Sequence, residues 1–196
     1  ISDYEINSDA LLTYHDKFKK GIDVTASVGA NTMTHKYYRL DAYVDGLVIP
    51  GVYKLSNGSG NPISTATDRN KKVNSVYGMA SFSYLGKYFI DVTGRNDWSS
   101  TLPLANNSFF YPSVNTSFIL SDIFKLPAKI SFAKARFSIA QVGNDTDPYK
   151  TSKYYGTSEF PSSGSVPTTL PNANLKPEIS TSKEAGLDIR LFKSRL

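Results

Sequence analysis

The 196-residue sequence has no cysteine, one tryptophan and two methionines. Without cysteine, the chain holds no disulfide framework, no thiolate metal site and no cysteine nucleophile. No run of 18 apolar residues occurs, which excludes a transmembrane helix. The chain opens without a methionine or a signal peptide, so we expect a mature form or a fragment.

Basic residues are scattered along the chain and form no cluster. Lys and Arg total 22 against 17 Asp and Glu, a net charge of +5. Acidic residues are interspersed throughout, and there is no run of five basic residues. This pattern argues against a nucleic-acid-binding protein.

Aromatic residues and period-two alternation are abundant instead. There are 13 Tyr and 11 Phe, and tyrosine suits positions that are apolar at one end and wet at the other. Alternation of apolar and polar residues predicts β-strands. The seven predicted strands cover residues 3–15, 22–31, 76–84, 88–98, 110–120, 130–142 and 179–191.

The lengths of the connections alternate along the chain. Short turns follow the first, third, fifth and seventh segments, and longer connections lie between them, notably about 32–72 and 143–175. Transmembrane β-barrels have short periplasmic turns on one rim, longer extracellular loops on the other, and tilted strands of about ten residues. The pattern therefore favours an all-β fold, a transmembrane antiparallel β-barrel.

Aromatic residues stand at the ends of the predicted strands. Rings at both ends are typical of the aromatic girdles of a membrane barrel. The predicted interface aromatics are Tyr88, Trp98, Phe109, Phe110 and Phe118. For Trp98, direct stacking on a ligand in the lumen is the alternative to interface anchoring.

Seven strands are an odd number, whereas bacterial single-chain barrels have an even number. An open sheet would leave two unpaired edges in lipid. We therefore expect about seven strands of a larger barrel. The alternatives are a soluble secreted β-sandwich that binds carbohydrate, and a small closed barrel with an eighth strand and an adhesive or structural role.

The sixth segment changes phase along its length. Ile130 and Phe132 are even-numbered, whereas Phe137 and Ile139 are odd-numbered. A β-bulge shifts the faces of a strand in this way. We therefore expect a bulge between Ile130 and Val142, without a defined register.

Four ordered motifs carry a resemblance to a known family. "YFIDVTGRNDWSSTLP", "SFFYPSVNTSFILSDIFKLP", "KISFAKARFSIAQVGNDTDPY" and "NLKPEISTSKEAGLDIRLF" resemble the C-terminal half of the barrel in SusC/RagA-type TonB-dependent transporters of Bacteroidota. The similarity is close over residues 74–196 and limited to the general pattern before that. Residues 1–196 would then form part of the barrel domain, without the plug domain and the TonB box.

The resemblance implies a much larger outer-membrane protein with about 22 strands around a plugged lumen. It implies import of oligosaccharides or peptides, an extracellular SusD-type lipoprotein as a lid, and energy supplied by TonB through the missing N-terminal part. The expected partners are that lipoprotein, TonB, the glycan or peptide substrate and outer-membrane lipid, with no nucleic acid.

Charged residues that alternate with apolar ones are predicted to face the lumen. They either line the substrate path or form a structural charge network between the barrel wall and the plug. The six residues are Asp91, Arg95, Lys134, Arg136, Asp188 and Arg190.

Tyrosines in the first long connection are predicted to contact a ligand or the lid. Aromatic faces stack on sugar rings and also suit protein interfaces. The sequence leaves both roles open for Tyr37, Tyr38, Tyr43 and Tyr53.

No combination of residues points to catalysis, to a cofactor or to a metal. His15 and His35 stand apart without a partner motif. "VGND", Val142–Asp145, is interpreted as a structural turn at a strand exit. Calcium binding through Asp145 and Asp147 is a weak alternative, because the glycine and glutamate of a calcium loop are missing. We therefore expect a protein that is not an enzyme.

Overall fold

The structure is a computed structural model that describes residues 1–157 and 163–192. Nine strands lie within these residues, together with one 3₁₀ turn, Leu55–Asn57, and one helical turn, α1 (Leu120–Ile123). The strands are β1 (Ser2–Phe18), β2 (Ile22–Tyr43), β3 (Ile63–Tyr84), β4 (Tyr88–Ser99), β5 (Ser108–Ile119), β6 (Ile130–Asn144), β7 (Gly156–Thr157), β8 (Gly164–Ser165) and β9 (Glu178–Leu191).

Seven of these strands form one antiparallel sheet in the order β1-β2-β3-β4-β5-β6-β9. Each strand pairs with the next long strand along the chain, as in an up-and-down barrel. β7 and β8 form a separate two-stranded ribbon. A β-sandwich would need two sheets packed face to face, so the single large sheet of the described residues does not match the sandwich alternative. No helix among the described residues is both long and apolar enough to cross a membrane.

Tight turns join the strands at one end of the sheet. Leu85 and Gly86, between β3 and β4, both have positive φ, at 54° and 64°. Two consecutive residues with positive φ match the right-handed twist of a hairpin. This end is called the turn end, and the opposite end, where the long loops leave, is called the loop end.

The sheet has one apolar face and one polar face. Residues directly opposite one another in an antiparallel pair share a face, so the register assigns every strand residue. The apolar face holds the even-numbered residues of β1–β5 and the odd-numbered residues of β6 and β9. Its large side chains, such as Val28, Phe82, Val92 and Leu187, are exposed. A face of this kind requires an apolar environment.

The apolar stripe ends before β2 and β3 end. On the apolar face of β2, residues from Ile22 to Ala30 are apolar, and Thr32, Thr34 and Lys36 follow. Pairing of β3 with β4 stops at Val73 and Ser99, but pairing of β2 with β3 continues to Tyr43 and Ile63. The paired residues 34–43 and 63–72, with the tip 44–62, form a projecting hairpin that we call the β2–β3 arm.

The β2–β3 arm corrects the prediction that residues 32–72 form a long connection without strands. Only the tip, 44–62, lies outside the β2–β3 ladder. Polar residues occupy both faces of the arm, so the sequence shows no hydrophobic alternation there. Main-chain hydrogen bonds to the opposite strand, invisible in the pattern, define these strands.

A bulge in the sixth segment is confirmed, but it lies between Ile130 and Phe132, which the sequence pattern places on one face. Pairing of β6 with β9 shifts between Ile130, opposite Leu191, and Phe132, opposite Arg190. The shift places Ile130 on the apolar face and Phe132 on the polar face. Beyond it the register is continuous to Asn144, opposite Glu178.

Most of the buried residues lie near the loop end of β3, β4 and β5. They are Val73, Ser75, Asp97, Ser99, Thr101, Leu102 and Phe109. All but Thr101 and Leu102, which lie in the β4–β5 loop, are on the polar face. The densest packing of the described chain therefore lies on the polar face, just below the loops.

Candidate functional site

The polar face contains all six of the predicted lumen-facing residues. Asp91 and Arg95 are odd-numbered residues of β4, and the other four are even-numbered residues of β6 and β9. The structure separates them into two zones. Arg95 belongs to a bonded network near the loop end, whereas the other five lie nearer the turn end.

The bonded network near the loop end, which we call the upper network, is centred on Asp97. The Arg95 Nε donates a hydrogen bond to Asp97 Oδ1 at 2.7 Å, and the Tyr111 hydroxyl donates to Asp97 Oδ2 at 2.6 Å. The Arg95 Nη2 donates to Ser75 Oγ at 2.8 Å. The Asp97 side chain is only 10% exposed. A buried carboxylate with both oxygens bonded is a structural anchor, because a buried charge is tolerated only when it is paired.

A second contact extends the network to the edge strand. The Tyr77 hydroxyl donates to both carboxylate oxygens of Asp9, at 2.8 and 2.9 Å. To reach from β3 to β1, the ring crosses β2 at Gly29, where any Cβ would overlap it. The Arg95 guanidinium lies 5.7 Å from the centre of the same ring. These contacts tie β1, β3, β4 and β5 together on the polar face.

The part of the polar face nearer the turn end, which we call the lower zone, holds charges with few partners. The cross-strand register aligns Asp91, Asn115, Ser138 and Glu184 in one row across four strands. Next to this row lie Lys134 and Arg136, and the set lines a depression of about 310 Å³.

The contacts within the lower zone are long, and their side chains are exposed. Arg136 Nη2 lies 3.7 Å from Asp188 Oδ1, and the two side chains are 63% and 47% exposed. The Arg190 guanidinium lies 5.1 Å from the centre of the Phe132 ring. Exposed pairs contribute little to stability, so the charges of this zone are available to a molecule on the polar face.

Asp145 connects the β6–β9 loop to the rest of the loop end. Its carboxylate accepts hydrogen bonds from Lys71 Nζ and Ser99 Oγ, both at 2.5 Å, and from Thr101 Oγ1 at 3.3 Å. Its side chain is 10% exposed. The contacts span from β6 past β5 to β4 and β3. They support the structural interpretation of "VGND", since bonds to protein groups occupy both carboxylate oxygens.

Four of the five predicted interface aromatics lie on the apolar face. At the turn end, Tyr88 contacts Phe118 edge-on with ring centres 6.1 Å apart, and Tyr84 lies at the same distance from Tyr88. At the loop end, Trp98 and Phe110 are exposed on that face. This position separates Trp98 from the polar face and from any ligand there.

The prediction that Phe109 is an interface aromatic is wrong. It lies on the polar face, is 7% exposed and stacks on Tyr111 with ring centres 6.1 Å apart. Phe109 and Phe110 are neighbours in one strand, so only one of them can face outwards. Pairing with β4 sends Phe110 outwards, while Phe109 covers Gly143 of β6.

The four loop tyrosines do not converge on one site. Tyr37 lies on the polar face of the arm, under the guanidinium of Arg69 at 5.7 Å. Tyr38 lies on the opposite face, Tyr43 at the last pair of the ladder, and Tyr53 at the exposed tip. Asn57 holds the tip together: its amide nitrogen donates to the carbonyls of Ile49 and Val52, both at 2.8 Å.

The described residues contain no group of three His, Cys, Asp or Glu able to hold a metal ion. His35 contacts Asp3 at 2.7 Å, and His15 contacts Thr25 at 2.9 Å. The two histidines lie at opposite ends of the β1–β2 pair, each within its own contact.

Sequence reasoning missed Asp9, Tyr77, Asp97 and Tyr111. The sequence pattern could have indicated Asp97, because it continues the odd-numbered series of Asp91, Thr93 and Arg95. Tyr77 and Tyr111 show no such signal, since a tyrosine on a strand suits either face. Asp9 becomes important only through the crossing over Gly29, which depends on the register.

A family model described as the TonB dependent receptor-like β-barrel matches residues 2–196. The chain belongs to this family. TonB-dependent receptor P26 of Formosa agariphila is 25% identical over 97% of this chain and 20% of its own length. TonB-dependent receptor P3 of the same organism is 33% identical over 62% of this chain and 13% of its own length. The chain therefore spans about a fifth or less of these relatives.

Solved structures share the fold. The RagAB peptide transporter superimposes with a TM-score of 0.86 at 18% identity, over 98% of this chain and 22% of that one. The RagAB peptide importer in its "closed-closed" and "open-open" states gives TM-scores of 0.85 and 0.84, at 19% and 20% identity and with the same coverage. The predicted membership of a TonB-dependent receptor β-barrel is confirmed, and the seven strands have the fold of a section of the larger RagAB barrels.

Proposed function

We propose that the chain is a section of the barrel wall of an outer-membrane importer that works with TonB and a SusD-type lipoprotein. The observation that carries the proposal is the two-faced sheet. Its apolar face has aromatic residues towards both strand ends, as a lipid-facing surface requires. Its polar face carries charges of both signs, as a wide aqueous lumen requires.

The cargo is an oligosaccharide or a peptide taken up with the proton gradient as the energy source. The family is one of receptors and transporters rather than of enzymes, and the RagAB relatives are described as peptide importers. The lower zone, with Asp91, Lys134, Arg136 and Glu184, faces the lumen, where it meets either the plug or the passing cargo. The upper network, with Arg95, stabilises the barrel wall by joining neighbouring strands.

The aromatic residues of the apolar face anchor the barrel at the two membrane interfaces. Tyr84, Tyr88 and Phe118 lie at the periplasmic level, and Trp98 and Phe110 lie at the extracellular level. The β2–β3 arm and the β6–β9 loop extend beyond the membrane. Tyr37, Tyr38, Tyr43 and Tyr53 of the arm contact the lipoprotein lid or the substrate.

The test is to find the native polypeptide in the source cells. An antibody against residues 96–103 should detect an outer-membrane band several times heavier than a 196-residue chain. The band should co-purify in detergent with a surface lipoprotein. A soluble band of the size of this chain would overturn the proposal and favour a secreted binding module.

Uptake provides the second part of the test. Cells without the gene should lose growth on the cargo, and collapse of the proton gradient should stop uptake by wild-type cells. Uptake that survives collapse of the gradient would contradict the role of TonB.

A further inference from the structure

Described residues of the β6–β9 loop form an open cavity outside the sheet. Its volume is about 470 Å³, within the range of small-ligand sites. One wall comes from residues 146–154 and the other from residues 167–175. Both walls belong to the described residues, and none of the lining residues lies in a strand.

Bonds at the loop end hold both walls in place. Asp145, immediately before the first wall, is bonded to Lys71, Ser99 and Thr101. At the end of the second wall, the Asn106 amide donates to the carbonyls of Asn174 and Leu175, at 3.3 and 3.2 Å. The cavity therefore has a fixed base, which lowers the entropic cost of binding a ligand there.

Tyr149, in the first wall, has an unusual backbone conformation. Its φ is +66°, a region that costs free energy for a residue with a bulky side chain. The other non-glycine residues with positive φ in the described chain are Lys20, Leu85 and Phe192, all in turns that follow a strand. Tyr149 likewise lies in a turn, directly after Pro148, and glycine is the residue that fits this conformation without strain.

The lining has a distinct chemistry. Tyr149 and Tyr154 provide partly exposed rings, and hydroxyl and amide groups come from Thr146, Ser152, Thr169 and Asn172. Lys150 is the cation of the lining, and no Asp or Glu is part of it. Among residues 1–157 and 163–192, Lys150 has no ion-pair partner.

We propose that this cavity binds an acidic sugar unit of an oligosaccharide, with its ring against the tyrosines and its anionic group at Lys150. Aromatic faces and hydroxyl partners suit a sugar ring. One recurring way to hold an extended peptide is through main-chain hydrogen bonds to a free strand edge, and none of the lining residues lies in a strand. A neutral sugar offers no charge to Lys150, which has no ion-pair partner among the described residues.

This inference rests on the proposed import function for its biological role, because it narrows the cargo to anionic glycans. Binding itself can be measured independently. The full-length protein is purified in detergent with its lipoprotein, and titrated by calorimetry with trigalacturonate, with maltotriose, and with the tripeptide alanyl-glutamyl-alanine. We expect trigalacturonate to bind at least about tenfold more tightly than either of the others, a difference of about 1.4 kcal/mol.

Variants place that binding in this cavity. Lys150→Met should remove the preference for the acidic trisaccharide. Tyr154→Ala should weaken binding of trigalacturonate, as should Tyr149→Gly, in which glycine accepts the positive φ without strain. The matched control is Lys153→Met: Lys153 lies 5.5 Å from the centre of the Tyr155 ring and is not part of the lining. It should bind like the wild type.

Three results would overturn the inference: equal affinity for the charged and neutral trisaccharides, tighter binding of the tripeptide, or unchanged binding in Lys150→Met and Tyr154→Ala. In each case, recovery of the lipoprotein with the same preparation would leave the proposed import function standing. Loss of the lipoprotein from the wild-type preparation would instead count against the import function.

Discussion

At the residue scale, burial decides which charges of the polar face matter for stability. Asp97 and Asp188 are both aspartates on this face with an arginine partner. The Asp97 side chain is 10% exposed and holds Arg95 at 2.7 Å, whereas that of Asp188 is 47% exposed and lies 3.7 Å from Arg136. Removal of one partner from a buried pair leaves an uncompensated charge, whereas an exposed pair is solvated either way.

We therefore predict unequal effects of two matched substitutions. Asp97→Asn in the full-length protein should reduce stability by about 1–3 kcal/mol, because Arg95 and Tyr111 lose their charged acceptor. Asp188→Asn should change stability by less than about 1 kcal/mol. Urea titration of the barrel in detergent, followed by the loss of heat-modifiable migration on gels, measures both. Equal effects of the two substitutions would contradict a structural role for the upper network.

At the element scale, the loops depend on one another at their bases. Asp145 starts the β6–β9 loop, yet its bonds reach Ser99 at the end of β4, Thr101 in the β4–β5 loop and Lys71 of the arm. Asn106 of the β4–β5 loop in turn holds Asn174 and Leu175 at the other end of the β6–β9 loop. Three loops thus share a small set of side chains.

We predict that Asp145→Ala loosens the neighbouring β4–β5 loop as well as its own. Amide hydrogen exchange over residues 99–107 should accelerate roughly tenfold, corresponding to about 1.4 kcal/mol of local stability from bonds to a charged group. Asp147→Ala, two residues further along the same loop, is the control and should exchange at the wild-type rate. Addition of calcium or of a chelator should change neither variant. A calcium-dependent wild type would revive the metal alternative for this loop.

At the scale of the whole molecule, the sheet separates two environments. Adjacent residues of one strand point to opposite faces, so a shift of one position along the chain decides between the apolar and the polar face. Val92 lies on the apolar face in the middle of β4, and Thr93 lies on the polar face next to it. Both side chains are exposed in the isolated sheet, so burial within this section does not distinguish them.

We predict that Val92→Lys reduces the amount of folded protein in the outer membrane, because a lysine facing lipid near the midplane costs about 2–4 kcal/mol. Thr93→Lys should leave it close to the wild-type level, since the lysine faces the lumen. Heat-modifiable migration of the full-length protein from outer-membrane fractions measures the folded amount. The two-faced assignment is wrong if Thr93→Lys is the more harmful of the two.

Local pattern was enough to predict the strands with strong alternation, the barrel class, and a common face for Asp91 and Arg95 opposite the apolar residues of β4. It also predicted a bulge in β6, but not its position between Ile130 and Phe132. These follow from local side-chain periodicity, because successive residues of a strand alternate between the apolar and the polar face. The tertiary structure alone decided the extent of the β2–β3 arm, the inward turn of Phe109, and the bonds of Asp9, Tyr77, Asp97 and Asp145. Those features depend on cross-strand register and on contacts between residues far apart in the chain, and no local pattern records them.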